Sequence, residues 1–121
     1  MSMKIEQLEK LVIDALEDIK ALDITVLDVA EKTTITDRMV IATGTSSRHN
    51  KAMLEKVIEM SKEAGHQPLG VEGQNVSEWM LVDLGDIVVH IMTAATRDYY
   101  NLEKLWDTEE IVEGVAAPEY P

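Results

Sequence analysis

The sequence predicts an α/β fold, a single-domain sandwich in which a mixed sheet of about five strands carries helices on both faces. Three observations lead there. Two stretches with helical apolar spacing, Lys4 to Leu22 and Ser47 to about Ala64, are interleaved with short β-branched runs. A strand–helix–strand crossover, which suits parallel neighbours, is set among connections short enough for antiparallel hairpins. A chain of 121 residues is long enough for one core that buries roughly two-thirds of its unfolded surface.

The first helix is read from Ile5, Leu8, Leu11, Val12, Ala15, Leu16, Ile19 and Leu22, with Glu6, Glu9, Glu17, Asp18 and Lys20 between them. Ile24 to Val29 is short and β-branched, a strand. After a polar connection from Glu31 to Asp37, Met39-Val40-Ile41-Ala42-Thr43 is almost continuously apolar, which predicts a more deeply buried strand. The turn Thr43-Gly44-Thr45-Ser46-Ser47 opens the second helix, whose buried stripe is Met53, Leu54, Val57, Ile58 and Met60. Gly65 stands where a left-handed cap ends it. Pro68 to Val71 is a short strand that begins at its proline, and Glu72 to Ser77 is a polar loop.

Glu78 to Met92 is a hairpin around which the rest is organised. With Leu84-Gly85 as its two-residue loop, Asp83 faces Asp86, Leu81 faces Val88 and Trp79 faces His90, while Met80, Val82, Ile87, Val89 and Ile91 share the other face. Leucine is poor at the first position of a primed turn, so a three-residue loop with different pairing is the alternative. The face carrying Trp79 and His90 mixes apolar and polar groups, a composition suited to a partly covered surface. Beyond Met92, Tyr99, Leu102, Leu105 and Trp106 recur at helical spacing, with a break predicted near Asn101. Residues 1–107 form the domain; 108–121 are acidic, carry two prolines and read as a flexible tail.

Composition narrows the function classes. With no cysteine, there is no disulfide framework, thiolate metal site or cysteine nucleophile. No apolar run approaches the roughly 20 residues of a membrane span, and the charged N-terminus does not resemble a signal peptide, so a cytoplasmic protein is expected. The 23 acidic and 11 basic side chains, net charge −12, disfavour broad nucleic-acid binding and suit a basic protein partner better, while composition alone favours the plainer reading that the charge keeps the protein dispersed.

Site chemistry is sparse. Arg48, His49 and Lys51 follow the Thr43–Ser47 loop at a helix N-terminus, an anion-binding arrangement for which an internal Asp or Glu is the expected occupant, since the loop lacks a P-loop ending. Asp83, Asp86 and His90 share a strand face but read as turn chemistry with a single histidine rather than a metal set. Gly44-Thr45-Ser46 after a strand is similar to the glycine–serine turn of nucleotidyltransferases, yet the carboxylate pair that would hold two metal ions does not follow. Catalytic, cofactor and metal residues are therefore assigned to none. Trp106 reads as core, and Trp79, on the mixed face, equally as core or as an interface anchor.

Ile35-Thr36-Asp37, Met39 through His49, Pro68 through Gly73, Trp79, Val82 through Asp86, Val88-Val89-His90 and Tyr100 through Trp106 occur in an order and spacing that resembles the ribosomal silencing factor family, also called the Iojap family, from about Ile5 to Asp107. The resemblance implies a nucleotidyltransferase-like fold without catalytic residues. It also implies a non-enzymatic translation repressor that binds ribosomal protein fourteen (uL14) of the large subunit and blocks joining of the small one when nutrients are scarce. By matching positions it implies that Trp79, Glu78, Leu81, Asp83, Pro68 and Glu72 contact the partner. No cofactor is implied, and the oligomeric state stays open, with a homodimer among the options. The alternatives are a nucleotidyltransferase-like enzyme and a plain dimerising module.

Overall fold

The structure is a computed structural model, and the residues it describes are 3–73, 78–102 and 104. Helix α1 spans Ile5–Asp18, strands β1 and β2 Leu22–Asp28 and Arg38–Gly44, helix α2 Ser47–Glu63. Strands β3, β4 and β5 follow at Gly70–Glu72, Trp79–Asp83 and Ile87–Thr93, and the short helix α3 at Ala94–Tyr100. The mixed sheet has five strands in the order β1-β2-β5-β4-β3. Only β2 and β5 are parallel among these neighbours, with α2 in the crossover between them. Among the described residues no helix is long and apolar enough to cross a membrane.

Helix α1 is shorter than its apolar pattern, because Lys20 turns left-handed at φ 60 and the Ala21 N–H donates back to the Leu16 carbonyl. Leu22 thereby opens β1 instead of closing the helix. Helix α2 begins where Ser46 Oγ accepts the His49 N–H at 3.1 Å. Its Met53, Leu54 and Val57 are buried, and Ile58 and Met60 pack at the margin. Helix α3 stops at Asn101, which is left-handed and donates its N–H to the Arg97 carbonyl, the break that asparagine was expected to make.

The principal core joins Leu8, Val12, Ala15 and Leu16 of α1 and the stripe of α2 to one sheet face: Val40, Ala42, Met80, Val82, Ile87, Val89 and Ile91. The hairpin residues on this face are the predicted ones. A second, smaller cluster occupies the other face, where Val29, Met39, Ile41, Met92 and Leu102 are buried with Leu27 and Trp79 at its edge. That face is more closed than its mixed composition suggested, since Leu81, Val88 and His90 are each no more than 2 % exposed.

The hairpin loop is Gly85-Asp86, not Leu84-Gly85. Leu84 N–H donates to the Ile87 carbonyl at 2.9 Å, and Gly85 adopts φ 88 at the first loop position, where only glycine avoids a steric penalty. Leu84 itself is a core residue. Pairing accordingly sets Leu81 opposite His90, Trp79 opposite Met92 and Asp83 opposite Val88. The slip moves each partner by two residues and so leaves every side chain on its predicted face.

Candidate partner-binding face

Trp79 opens β4 on the face turned away from α1 and α2, half-buried against the second cluster. Its indole Nε1–H donates to Nδ1 of His90 at 2.9 Å, a diagonal contact across the β4–β5 pair. An indole can only donate, so Nδ1 is the acceptor and the His90 proton resides on Nε2. Burial pushes the His90 pKa down from its ordinary 6.5 to about 3, which keeps the ring neutral. Tyr100 stacks obliquely on the indole at a centroid distance of 4.6 Å, and Tyr99 meets Tyr100 edge-on at 4.9 Å. Both tyrosines face solvent, Tyr99 at 81 % and Tyr100 at 53 % exposure. The helical spacing had suggested that Tyr99 packs inward with Leu102; Leu102 does so, and Tyr99 does not.

The other candidate residues distribute unevenly about this tryptophan. Glu72 is exposed on the edge strand β3 and pairs with Leu81, so it shares the sheet face of Trp79. Leu81 lies beneath that surface at 2 % exposure, supporting it from below. Glu78 is exposed just before β4, its carbonyl accepting the Thr93 N–H at 3.1 Å. Asp83, half-buried, spends Oδ1 on the Gly85 N–H at 2.8 Å, the turn chemistry expected of it. Pro68 is half-buried at the far end of β4, roughly 13 Å along the strand from Trp79, beside the exposed Leu69. Trp79, Leu81, Asp83 and Glu72 are thus brought onto one face, with Glu78 and Pro68 at its two ends. Trp106 and the tail from 108 lie outside the described residues.

Two other features met the sequence expectations differently. Among the described residues Arg48 and Lys51 form no ion pair with an Asp or Glu. The loop is instead held by His49, whose Nδ1 accepts the Thr45 N–H at 2.9 Å and whose Nε2 donates to the Ile19 carbonyl at 2.6 Å, tying β2–α2 to the end of α1. At the carboxyl ends of β2 and β5 lies a polar cavity of about 510 Å³ lined by Asp23, Thr25, Thr43, Arg97, Asp98 and Asn101, among others. Arg97 spans it, donating to the Thr43 and Thr25 hydroxyls at 2.9 and 2.7 Å and to the Asp23 carbonyl. The guanidinium therefore joins α3 to β1 and β2.

Charge is partitioned between the layers. Residues 4–20 and 47–63, the helical layer, carry eight acidic and seven basic side chains; residues 21–46 and 64–104, the strands and their connections, carry ten and four. The tail 105–121 adds five acids and no base. The negative excess thus belongs to the strands, α3 and their connections rather than to α1 and α2, and Glu72 and Glu78 are the exposed carboxylates at the Trp79 end of β4, with Asp83 at its other end.

Comparison with known proteins agrees with this architecture. Residues 2–119 match the family described as ribosomal silencing factor during starvation. A protein of Chromobacterium violaceum named ribosomal silencing factor RsfS is 50 % identical over 104 residues, 86 % of this chain and 85 % of its own. A crystal structure of a protein from the same organism superposes with a TM-score of 0.85 at 46 % identity, covering 97 % of this chain and 98 % of the other. Among more distant relatives, a mouse protein named mitochondrial assembly of ribosomal large subunit protein 1 is 37 % identical over 99 residues, 79 % of this chain and 43 % of its own. The sheet order, the helix placement and these likenesses have one meaning: the chain belongs to the ribosomal silencing factor family.

Proposed function

We propose that this protein acts in the cytoplasm as a non-enzymatic repressor of translation. It binds uL14 on the large ribosomal subunit through the face centred on Trp79 and, seated there, sterically blocks joining of the small subunit when nutrients are scarce. One observation carries the reading: a half-buried tryptophan and two exposed tyrosines form a contiguous aromatic surface, with the exposed carboxylates Glu72 and Glu78 at the same end of β4. Aromatic anchors of this kind supply most of the energy of an interface, and an acidic rim selects a basic protein while repelling the surrounding RNA backbone. The name of the mouse relative, which speaks of large-subunit assembly, points to the same particle. No reaction is needed for the effect, because occupancy alone excludes the second subunit.

Sedimentation with isolated subunits tests it. The protein should travel with the large subunit and reduce formation of the joined particle, and Trp79→Ala should weaken that association at least about tenfold, as loss of a central anchor does. Equal binding to both subunits, or undiminished joining at saturating protein, would overturn the proposal. Self-association without ribosome binding would assign the face to a dimer instead.

A further inference from the structure

We infer that His90 is a positioning residue for the partner-binding face, holding the Trp79 indole in the single orientation from which, with Tyr100 beside it, it meets its partner. The inference rests on the docking role proposed for Trp79 above.

A buried histidine is an unusual filling for a β-strand position flanked by Val88 and Met92 and faced by Leu81, all of which are themselves buried. An apolar side chain would occupy that space without the cost of desolvating an imidazole. What the imidazole adds is an acceptor on the outward side, and that acceptor receives the indole N–H at 2.9 Å. At 1 % exposure His90 is shielded from water that could compete for Nδ1. The rings meet with centroids 5.8 Å apart and planes inclined at 52°, while Tyr100 lies 4.6 Å from the indole. Trp79 is therefore fixed by a directed bond to one neighbour and ring packing against another, although part of its surface remains open. Its ring would otherwise lose rotational freedom only on binding, and the penalty for ordering one such side chain is worth about three- to tenfold in affinity. The low pKa of His90 has a consistent consequence, since a proton on Nδ1 would replace the acceptor with a donor and break the contact.

The test uses the full chain, purified large subunits and the indole N–H resonance of Trp79. His90→Leu removes the acceptor, whereas His90→Asn places an amide oxygen near the position of Nδ1; should His90→Leu fail to fold, His90→Phe takes its place. We expect the acceptor-less variant to bind about three- to tenfold more weakly while remaining folded, and His90→Asn to recover most of the loss. In a Trp79→Ala background the same replacement of His90 should cost nothing further, because there is no indole left to orient. An equal loss in both backgrounds, or no loss in either, overturns the positioning role. If Trp79→Ala itself binds normally, the docking reading fails, and exchange of the indole proton decides the positioning separately. It should quicken in the acceptor-less variant and not in His90→Asn, and unchanged exchange refutes the inference.

Discussion

Gly73 lies so close to Trp79 that a Cβ added to the glycine would stand 2.2 Å from the tryptophan's carbonyl oxygen. The glycine is also left-handed, at φ 82. Gly73→Ala therefore meets two obstacles, the backbone conformation and a collision with main chain that has no rotamer to yield. We expect a destabilisation of about 2 kcal/mol or more, with β3 loosened from β4, seen as a lower denaturation midpoint and faster exchange of the Glu72 and Leu81 amides. Wild-type stability in this variant would show that the segment relaxes freely.

Acidic groups around the aromatic surface should act mainly on the rate of encounter. Glu72 is exposed on the edge strand β3 on the Trp79 face. Glu72→Lys should slow association with the large subunit by about three- to tenfold, and binding of the parent should weaken as salt shortens the Debye length to about 10 Å at 0.1 M. Stopped-flow association at several ionic strengths checks both, and salt-independent rates would leave the aromatic contact as the sole determinant.

The buried imidazole makes stability depend on pH with a defined sign. His90 is held at about 3 in the folded chain, against an ordinary 6.5 that the unfolded chain regains. Between these values the unfolded state binds a proton that the folded state refuses, so stability is highest above pH 6.5 and falls as pH drops towards 3, by up to about 1.4 kcal/mol per pH unit. His90→Phe should flatten this slope between pH 5 and 6.5. Denaturant titrations of parent and variant at matched pH give the comparison, and parallel curves would assign the slope to other groups.

Arg97 anchors α3, the helix that carries Tyr99 and Tyr100. Replacing it with Met removes three donated bonds, to Thr25, Thr43 and the Asp23 carbonyl, while keeping an apolar stem. The expected cost is about 1.5–3 kcal/mol, with Tyr99 and Tyr100 displaced as the helix loosens. Calorimetry of Arg97→Met and the ring resonances of both tyrosines measure the two effects, and an unshifted melting temperature would show that the bonds contribute little.

Patterning made most of this architecture legible, because α1 and α2 bury one face and write it into the chain at intervals of 3.6 residues, while the central strands β2 and β5, buried on both faces, stand out as nearly continuous apolar runs. The β4–β5 register was not legible in full. Both candidate loops contain Gly85, and what separates them is whether Leu84 belongs to the loop or to the core; only packing around Leu84 decides that. The Trp79–His90 bond was half visible, since the two residues fall on one face in either register, but the diagonal that aligns Nε1 with Nδ1 depends on the true pairing. Tyr99 and Tyr100 left no usable signal. Their exposure follows from how α3 is anchored, through Arg97, to strands more than fifty positions earlier, and no local pattern records such a bond. The same holds for His49, which a reading of charge alone would pair with an anion and which instead bonds two main-chain groups.

The parallel pairing of β2 with β5 also bears on how the molecule comes into being. Arg38 meets Ile87 and Gly44 meets Thr93, so about fifty positions of chain separate every matched pair at the centre of the sheet. As the chain emerges during synthesis, β2 can pair with β1 at once, but its second edge, bearing the apolar run from Met39 to Ala42, stays open until Thr93 has been made. That interval leaves a hydrophobic strand edge open to other chains. The wide sequence separation of the central pair makes its closure the step expected to be slow in folding, and a fragment ending before β5 lacks the strand that pairs with this edge of β2.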